Sequence, residues 1–156
     1  SKASVIREGP FSGTAVDGPE YETTGLLGSN CGVGDPEAVA RIQLKTTSSE
    51  GALSDLGIGL EIRDMDIYGE AYGSSRGTIA LGSFTSAYIR RFRIRHVPGS
   101  RVEFWVDGRL AGVLTGDHVP SGPTDATFLV ISIVNGPTGG VNAELRVFNL
   151  WIIQRW

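Results

Sequence analysis

The sequence contains one cysteine, Cys31, and only two lysines, against twelve arginines. A single cysteine excludes an internal disulfide framework and any metal cluster that needs several thiolates. The net charge of −3 argues against general affinity for nucleic acid. We therefore predict no nucleic-acid partner, no cofactor and no metal site.

Long apolar runs and helical signals are also scarce. Apolar runs stop at four residues, as in Phe128–Ile131, whereas a membrane-spanning helix needs about 20. We therefore predict no membrane span. Residues Ser1–Ser4 carry no apolar signal core and no Met, which predicts a processed or trimmed start. One helix-start pattern occurs at Asp35–Ala38, but the residues after it alternate in polarity as a strand does.

The chain does contain enough apolar material for one core, together with many turn residues. It is 40% hydrophobic, and its 156 residues suit one domain over residues 1–156. Its 22 glycines and 7 prolines are spread along the whole chain. This distribution predicts many short elements joined by turns.

Alternation of polar and apolar residues recurs along the chain and predicts about ten or eleven short strands. The clearest predicted strands are Val39–Thr46, Leu53–Arg63, Asp66–Tyr72, Thr78–Gly82, Ala87–Val97, Arg101–Val106, Arg109–Leu114, Ala126–Val134 and Val141–Gln154. Tight turns are predicted at Asp64-Met65, Pro98-Gly99-Ser100 and Asp107-Gly108. The pattern predicts an all-β sandwich or barrel.

The predicted hairpin around Pro98–Ser100 has one apolar face and one mixed face. Its apolar positions are Phe92, Ile94, Val102, Phe104 and Val106. Burial of these side chains stabilises the fold by about 1.5–3 kcal/mol each, so this face is the core face. Trp105 and Glu103 therefore point away from the core, beside Arg91 and Arg93.

The predicted hairpin at Asp64-Met65 divides in the same way. Its apolar positions are Ile58, Leu60, Ile62, Ile67 and Ala71. Its polar positions are Glu61, Arg63, Asp66, Tyr68, Glu70 and Tyr72. With the turn centred on these two residues, Glu61 lies opposite Tyr68. Two tyrosines and two glutamates thus share one sheet surface.

Several of these segments resemble one superfamily. Ala40–Leu44, Gly57–Asp64 and Ile67–Gly69 resemble the central strands of concanavalin A-like lectin/glucanase jelly rolls, Phe92–Arg109 resembles their laminin-G-like hairpin, and Ala143–Trp151 is similar to their last strand. The resemblance covers roughly residues 38 to 152. It implies an antiparallel two-sheet jelly-roll sandwich, whose concave sheet often holds a saccharide. The same sandwich also serves as a spacer or adhesion module, so the resemblance leaves function open.

The carboxylates do not match the glucanase pattern of this superfamily, Glu-x-Asp-x-Glu on a concave strand. A straight strand would separate Asp66 from Glu70 by about 13 Å, whereas a retaining mechanism needs about 5–5.5 Å. Glu61 and Glu70 are predicted diagonal neighbours with Cα atoms about 7–8 Å apart, which suits an inverting glycosidase. We expect both to be solvated on a polar sheet face, and we predict no catalytic residue.

The aromatic and charged residues of the two polar faces form the candidate ligand site. This set is Glu61, Tyr68, Glu70, Tyr72, Arg91, Arg93, Glu103 and Trp105. If both hairpins belong to one concave sheet, the aromatic rings form a surface on which sugar rings can stack, and the charged groups surround that surface. The alternative is an ordinary cross-strand ladder of aromatic and ion pairs.

Other polar residues receive structural interpretations. His96 and His118 lie beside turns and are expected at the surface or in loops, since no triad pattern surrounds them. The turn aspartates are expected to cap turns, because their irregular spacing does not favour a calcium site. The glycine-rich segment around Cys31 lacks the Gly-Lys-Thr ending of a phosphate-binding loop.

These observations predict a non-catalytic recognition module for carbohydrate, displayed outside a cell or on a virion. One alternative is a virion decoration or surface-assembly subunit; another is an inverting glycoside hydrolase. Phe148–Trp156 motivates the first alternative, because its apolar residues occupy both faces of a strand. We expect Trp156 and one face of Leu150–Ile152 to lie against another chain or against Ala3–Ile6, and therefore predict self-association there.

Overall fold

Two antiparallel sheets account for the described part of the chain. The computed structural model describes residues 2–9, 20–29, 31, 36–84, 89–121, 127–137 and 143–155. The strands are β1 (Lys2–Gly9), β2 (Glu20–Ser29), β3 (Val39–Lys45), β4 (Gly57–Arg63), β5 (Asp66–Tyr72), β6 (Arg76–Ser83), β7 (Ile89–Val97), β8 (Arg101–Val106), β9 (Arg109–Thr115), β10 (Thr127–Val134) and β11 (Leu145–Arg155). A short 3-10 turn at Gly116–His118 follows β9.

Six strands form sheet A, in the order β1-β10-β3-β4-β5-β6, and five form sheet B, in the order β11-β2-β7-β8-β9. The predicted all-β, two-sheet antiparallel sandwich is therefore confirmed. Within the described residues, no helix is long and apolar enough to cross a membrane.

The core lies between the two sheets and takes alternate residues from the described strands of both, as in β3, β4 and β7. Sheet A contributes Ala40, Ile42, Leu44, Ile58, Leu60, Ile62, Ile67 and Ala71, and sheet B contributes Leu27, Phe92, Ile94, Val102 and Phe104. The two sheets pack closely at Gly69, where an added Cβ would lie 2.7 Å from the ring of Phe104. A larger residue at position 69 would push the sheets apart. The predicted core faces of both hairpins are confirmed.

The predicted hairpin turns are confirmed in their backbone geometry. Asp64 and Met65 have φ angles of 47° and 64°, and Asp107 and Gly108 have 50° and 79°. Two successive positive φ angles are typical of type I′ turns, whose twist matches that of the flanking strands. The β4–β5 turn places Glu61 opposite Tyr68, as predicted.

Some strand predictions were wrong. β4 begins at Gly57 instead of Leu53, because residues 53–56 belong to a loop that returns over sheet A. Strand β2 was not predicted, since Glu20–Ser29 lacks clear alternation and contains two glycines. Gly25 is required within it: an added Cβ would lie 2.7 Å from the Asn149 carbonyl oxygen.

Two further expectations need correction or lie outside the described residues. β1 pairs with β10 in sheet A and β11 pairs with β2 in sheet B, so no ladder joins Ala3–Ile6 to β11. Trp156 lies outside the described residues.

His96 is buried, not at the surface, because it alternates with Ile94 on the core side of β7. Its Nε2 lies 3.0 Å from the Pro120 carbonyl oxygen.

Candidate functional site

The eight predicted site residues separate onto the two outer faces of the sandwich. Glu61, Tyr68, Glu70 and Tyr72 belong to β4 and β5 in sheet A. Arg91, Arg93, Glu103 and Trp105 belong to β7 and β8 in sheet B. The residues between them in each strand enter the shared core, so the two polar sets point in opposite directions. The expectation that both hairpins share one concave sheet is wrong.

On sheet A, five polar side chains form a hydrogen-bonded cluster, called here the polar network: Arg41, Gln43, Glu61, Glu70 and Arg76. Arg76 Nη2 donates to Glu61 Oε2 at 3.0 Å and to Glu70 Oε2 at 2.8 Å. Arg41 Nε donates to Glu61 Oε2 at 2.9 Å, and Gln43 Nε2 donates to Glu70 Oε1 at 2.6 Å. Glu61 and Glu70 are only 3% and 0% exposed. The expectation that they are solvated is wrong.

The loop of residues 46–56 accounts for part of this burial, because it packs over the outer face of sheet A. Gln43 Nε2 donates to the Gly51 carbonyl oxygen at 2.9 Å, and Lys45 Nζ donates to Ser49 Oγ at 3.2 Å. Leu53 is buried, yet it does not belong to the core cluster between the sheets. Its side chain instead lies over Gly57, where an added Cβ would be 3.0 Å from Leu53 Cδ2.

Charges beneath this loop shift the pKa values of two basic groups. Burial lowers the pKa of Lys45, although the charges of Asp55 and Glu70 oppose that effect. Burial also acts against the charged form of Arg76, but the hydrogen bond and charge of Glu70, together with Glu61, outweigh it and raise the pKa of Arg76. Arg76 is therefore a permanent cation that holds two buried carboxylates.

The polar network differs from the geometry of an inverting glycosidase pair. One nitrogen of Arg76 bridges Glu61 Oε2 and Glu70 Oε2, which brings these two oxygens closer together than the separation that an inverting enzyme needs for its water. Each carboxylate accepts a hydrogen bond from an arginine. Glu61 also contacts Arg63, with Nε 3.6 Å from Oε1.

Two buried atoms near the polar network have no hydrogen-bond partner in the described structure, Gln43 Oε1 and Ser132 Oγ. Ser132 of β10 lies directly opposite Arg41 of β3, on the same face of sheet A. Buried polar atoms are normally hydrogen-bonded, so these two are places where a water molecule would bind. The loop of residues 46–56 covers the end of this face at which Gln43 and Lys45 lie.

The outer face of sheet B carries large exposed side chains, among them Leu110 and Trp151. Cross-strand pairing places five residues in one row, called here the tryptophan row: Trp151, Thr24, Arg93, Trp105 and Leu110, one from each strand. Directly paired residues share a sheet face, so both tryptophans lie on the outer side. Trp151 is 67% exposed, and Trp105 is partly exposed. Three strand spacings separate the two rings, about 14 Å.

Charged groups surround the tryptophan row. Arg93 lies over the Trp105 ring, with Cζ 5.6 Å from its centroid, and its Nη2 donates to Glu22 Oε2 at 3.0 Å. Trp105 Nε1 donates to Glu103 Oε2 at 3.4 Å, and Arg101 Nε donates to Glu103 Oε1 at 2.6 Å. We call the row together with Glu22, Arg91, Arg95, Arg101 and Glu103 the tryptophan face.

Two carboxylates near this row, Glu103 and Asp107, are held ionised. Burial of Glu103 favours its neutral form, but hydrogen bonds from Arg101 and Trp105, with the charges of Arg101 and Arg95, outweigh burial and lower the pKa of Glu103. A hydrogen bond from Arg90 lowers the pKa of Asp107, at the end of the same hairpin. Both carboxylates accept hydrogen bonds at neutral pH and do not donate them.

Several residues of these two faces were not predicted as site residues. Trp151 was treated only as part of an assembly strand, because its partner strand β2 had not been recognised. Arg41, Gln43 and Lys45 alternate along β3 and share its outer face, a signal that the sequence does contain. Arg76 carries no such signal, since only the pairing of β6 with β5 brings it opposite Tyr72. No group of three potential metal ligands occurs among the described residues.

Solved structures with similar folds share the whole architecture. The carbohydrate recognition domain of Emp47p matches with a TM-score of 0.69 and 12% identity, covering 100% of this chain and 79% of its own. The Bacillus licheniformis β-glucanase matches with a TM-score of 0.61 and 13% identity, covering 99% and 77%. The chain has the concanavalin A-like lectin/glucanase fold. An alginate lyase of polysaccharide lyase family 7 shares this concanavalin A-like fold, with a TM-score of 0.60, 10% identity and coverage of 99% and 63%.

Sequence comparisons contribute little more to the description of this concanavalin A-like chain. The family described as aldehyde ferredoxin oxidoreductase, domains 2 and 3, matches residues 1–47, less than a third of the chain. A match of that length does not establish membership of the family. No curated protein sequence matches the chain.

Proposed function

We propose that this concanavalin A-like chain is a non-catalytic carbohydrate-recognition module whose ligand binds the tryptophan face of sheet B. The observation that carries this proposal is the tryptophan row: two accessible tryptophans share one open sheet face with hydrogen-bonding groups between them. Flat rings stack on sugar faces, while fixed charged groups bond to hydroxyls, the combination that ligand sites use. Sheet A offers a similar set of residues, but its carboxylates Glu61 and Glu70 are more deeply buried, at 3% and 0% exposed, than Glu22 and Glu103 at 9% and 8%.

The fold comparisons support the ligand class. The names of the similar structures include a carbohydrate recognition domain, a β-glucanase and an alginate lyase, all of which concern saccharides. Because the fold is shared at low sequence identity, it supports a saccharide ligand without specifying one. Such a module would meet its ligand outside a cell or on a virion surface.

Glycan-array screening followed by titration calorimetry tests this proposal. We expect Trp105→Ala and Trp151→Ala each to abolish measurable binding. Trp105→Ala should cost only about 1 kcal/mol of stability, because its ring is partly exposed and contacts Arg93 instead of the core. Loss of more than about 3 kcal/mol would mean that Trp105 is a core residue, contrary to the face assignment.

The same titration decides between the two sheets. Tyr68→Ala changes an aromatic ring on sheet A, where Arg63 Cζ lies 4.4 Å from the Tyr68 centroid. Loss of binding in Tyr68→Ala, with binding retained in Trp105→Ala, would assign the ligand to sheet A and overturn the proposed location.

A second candidate function is a surface-assembly subunit, which the edge strand β11 favours. Phe148 and Trp151 are 51% and 67% exposed, and β11 forms hydrogen bonds to β2 on one side of the sheet edge. An edge strand with exposed aromatic residues is a site at which another chain can pair. Light scattering distinguishes this candidate, because a recognition module needs no second copy.

A further inference from the structure

We propose that the tryptophan face selects acidic glycans, whose carboxylate or sulfate groups pair with its arginines, over neutral glycans of the same backbone. This inference rests on the proposed function, since it names the class of saccharide that the same face binds. It is carried by the charge on the face and by the partners that each charged group has.

Arginines outnumber carboxylates among the described side chains of the tryptophan face. Arg93 pairs with Glu22 at 3.0 Å, and Glu103 contacts both Arg101 at 2.6 Å and Arg95 at 3.7 Å. Over the described residues, three guanidinium groups therefore lie against two carboxylates. This excess of positive charge occurs in a chain whose net charge is −3, so it is local to the face.

Arg91 adds a fourth cation. It alternates with Arg93 and Arg95 on the outer side of β7, it is exposed, and the described structure gives its side chain no salt bridge. The nearby carboxylate of Asp107 is engaged by Arg90, whose Nη1 lies 2.7 Å from Asp107 Oδ2. The backbone N–H of Arg91 donates to the other oxygen of Asp107 at 3.0 Å.

The geometry of arginine makes this excess selective for oxyanions. A guanidinium group carries five N–H donors in a planar fork that matches carboxylate and sulfate oxygens. Arg93 Nε is buried beside Trp105 without an acceptor. The side chains of Arg93 and Arg101 are 38% and 41% exposed, so their remaining donors are accessible to a ligand.

A nucleic acid fits this face less well than an acidic glycan. Nucleic-acid binding rests on many backbone phosphate contacts along a continuous basic groove. Glu22 and Glu103 lie on either side of Arg95 in the row next to the tryptophan row, so a chain of phosphates that followed that row would meet two carboxylates. Spaced single charges on a sugar chain suit the pattern better.

The test titrates the purified chain with matched saccharide pairs: an oligouronate and its carboxyl-reduced neutral counterpart, and a sulfated galactan oligosaccharide and its desulfated form. We expect the acidic member of at least one pair to bind about tenfold more tightly or better. That preference should shrink as the salt concentration rises from about 0.05 to about 0.5 M. The two pairs separate carboxylate from sulfate as the recognised group.

Charge variants locate the effect. Arg91→Gln and Arg93→Gln should each reduce the acidic preference severalfold, while Arg63→Gln, which removes the same charge from sheet A, should leave it unchanged. Thermal melting confirms that each variant is folded. Equal affinity for both members of each pair, with both lost in Trp105→Ala, would overturn the inference and keep the proposed function.

The remaining outcomes are equally decisive. Absence of binding to every saccharide would refute the proposed function and the inference together. Tight binding of a single-stranded oligonucleotide, with no saccharide bound, would replace the acidic glycan with a nucleic acid and overturn both.

Discussion

At the scale of single residues, burial decides what the charged groups of the two faces do. Glu70 is 0% exposed and accepts hydrogen bonds from Arg76 and Gln43, whereas Glu103 is 8% exposed and accepts hydrogen bonds from Arg101 and Trp105. Both glutamates are held by an arginine, and the arginine that holds Glu103 is the more exposed of the two, at 41% against 31%. Two stability measurements test these contacts.

Arg76→Ala should be strongly destabilising, by about 3 kcal/mol or more, because it leaves the buried Glu70 carboxylate without its cation. Urea unfolding measures the loss. Arg63→Ala is the matched control: this arginine is 51% exposed and 3.6 Å from Glu61, so its loss should cost less than about 1 kcal/mol. Adding Glu70→Gln to Arg76→Ala should restore part of the stability; no recovery would show that Arg76 acts only through packing.

Glu103 gives a pH-dependent contribution whose sign follows from its lowered pKa. The folded protein holds this carboxylate ionised at lower pH than the unfolded chain does, so the stabilisation is complete above the unfolded pKa of about 4.3. It is lost as the pH falls through the lower pKa of the folded state. The free energy of unfolding of Glu103→Gln should therefore approach that of the unchanged chain below about pH 4. A difference that stays constant from pH 7 to that range would contradict the assignment.

At the scale of elements, the local hairpins could be predicted from sequence but their sheets could not. Asp64-Met65 determines the β4–β5 register, since only one alignment places Ile62 opposite Ile67 in the core. Nothing in that alternation says whether β4 and β7 share a sheet. The assignment of strands to the two sheets depends on β2 and β10. β2 was not recognised because its alternation is weak, and β10 joins β1 to β3.

Burial of the polar network also could not be predicted. Residues 53–56 alternate well enough to extend β4, yet Asp55 Oδ2 instead accepts hydrogen bonds from Thr46 Oγ1 at 2.9 Å and from the Thr47 N–H at 3.0 Å. These bonds close the loop at its base and direct Leu53 over sheet A. The alternation along β4 and β5 therefore predicted correctly which side chains face away from the core, but it did not predict that Glu61 and Glu70 are buried.

The strand β11 supplies the prediction at this scale. Truncation after Asn149 removes the residues that pair with Glu20–Gly25 of β2, and it removes Ile152, which packs against the core. We expect a sharply lower melting temperature, measured by circular dichroism. If β11 also joins a second copy, light scattering should show a lower mass. Trp151→Ser in the full chain is the control: it should leave the melting temperature nearly unchanged, because the ring is exposed. An unchanged melting temperature and mass after truncation would refute both roles of β11.

At the scale of the whole molecule, the two sheets present opposite surfaces of different character. Sheet A covers a set of paired charges with its own loop, whereas sheet B leaves two tryptophans and unevenly paired arginines exposed. A sandwich of this kind can stabilise itself through one face and recognise a ligand through the other. Glu61 and Glu70, the carboxylates considered as an alternative inverting pair, lie on the outer face of sheet A.

We therefore expect no glycosidase turnover from the intact chain. Hydrolysis by an inverting pair needs one protonated carboxyl and a water held by the other, with about 6.5–9.5 Å between them. Glu61 Oε2 and Glu70 Oε2 both accept hydrogen bonds from Arg76 Nη2, at 3.0 and 2.8 Å, so these two oxygens are closer together than the inverting range. Reducing-end assays on β-glucans and on acidic polysaccharides, with an active β-glucanase as the positive control, should detect no product. Release of reducing sugar that disappears in both Glu61→Gln and Glu70→Gln, each shown to be folded by circular dichroism, would overturn this prediction and would require the loop of residues 46–56 to open.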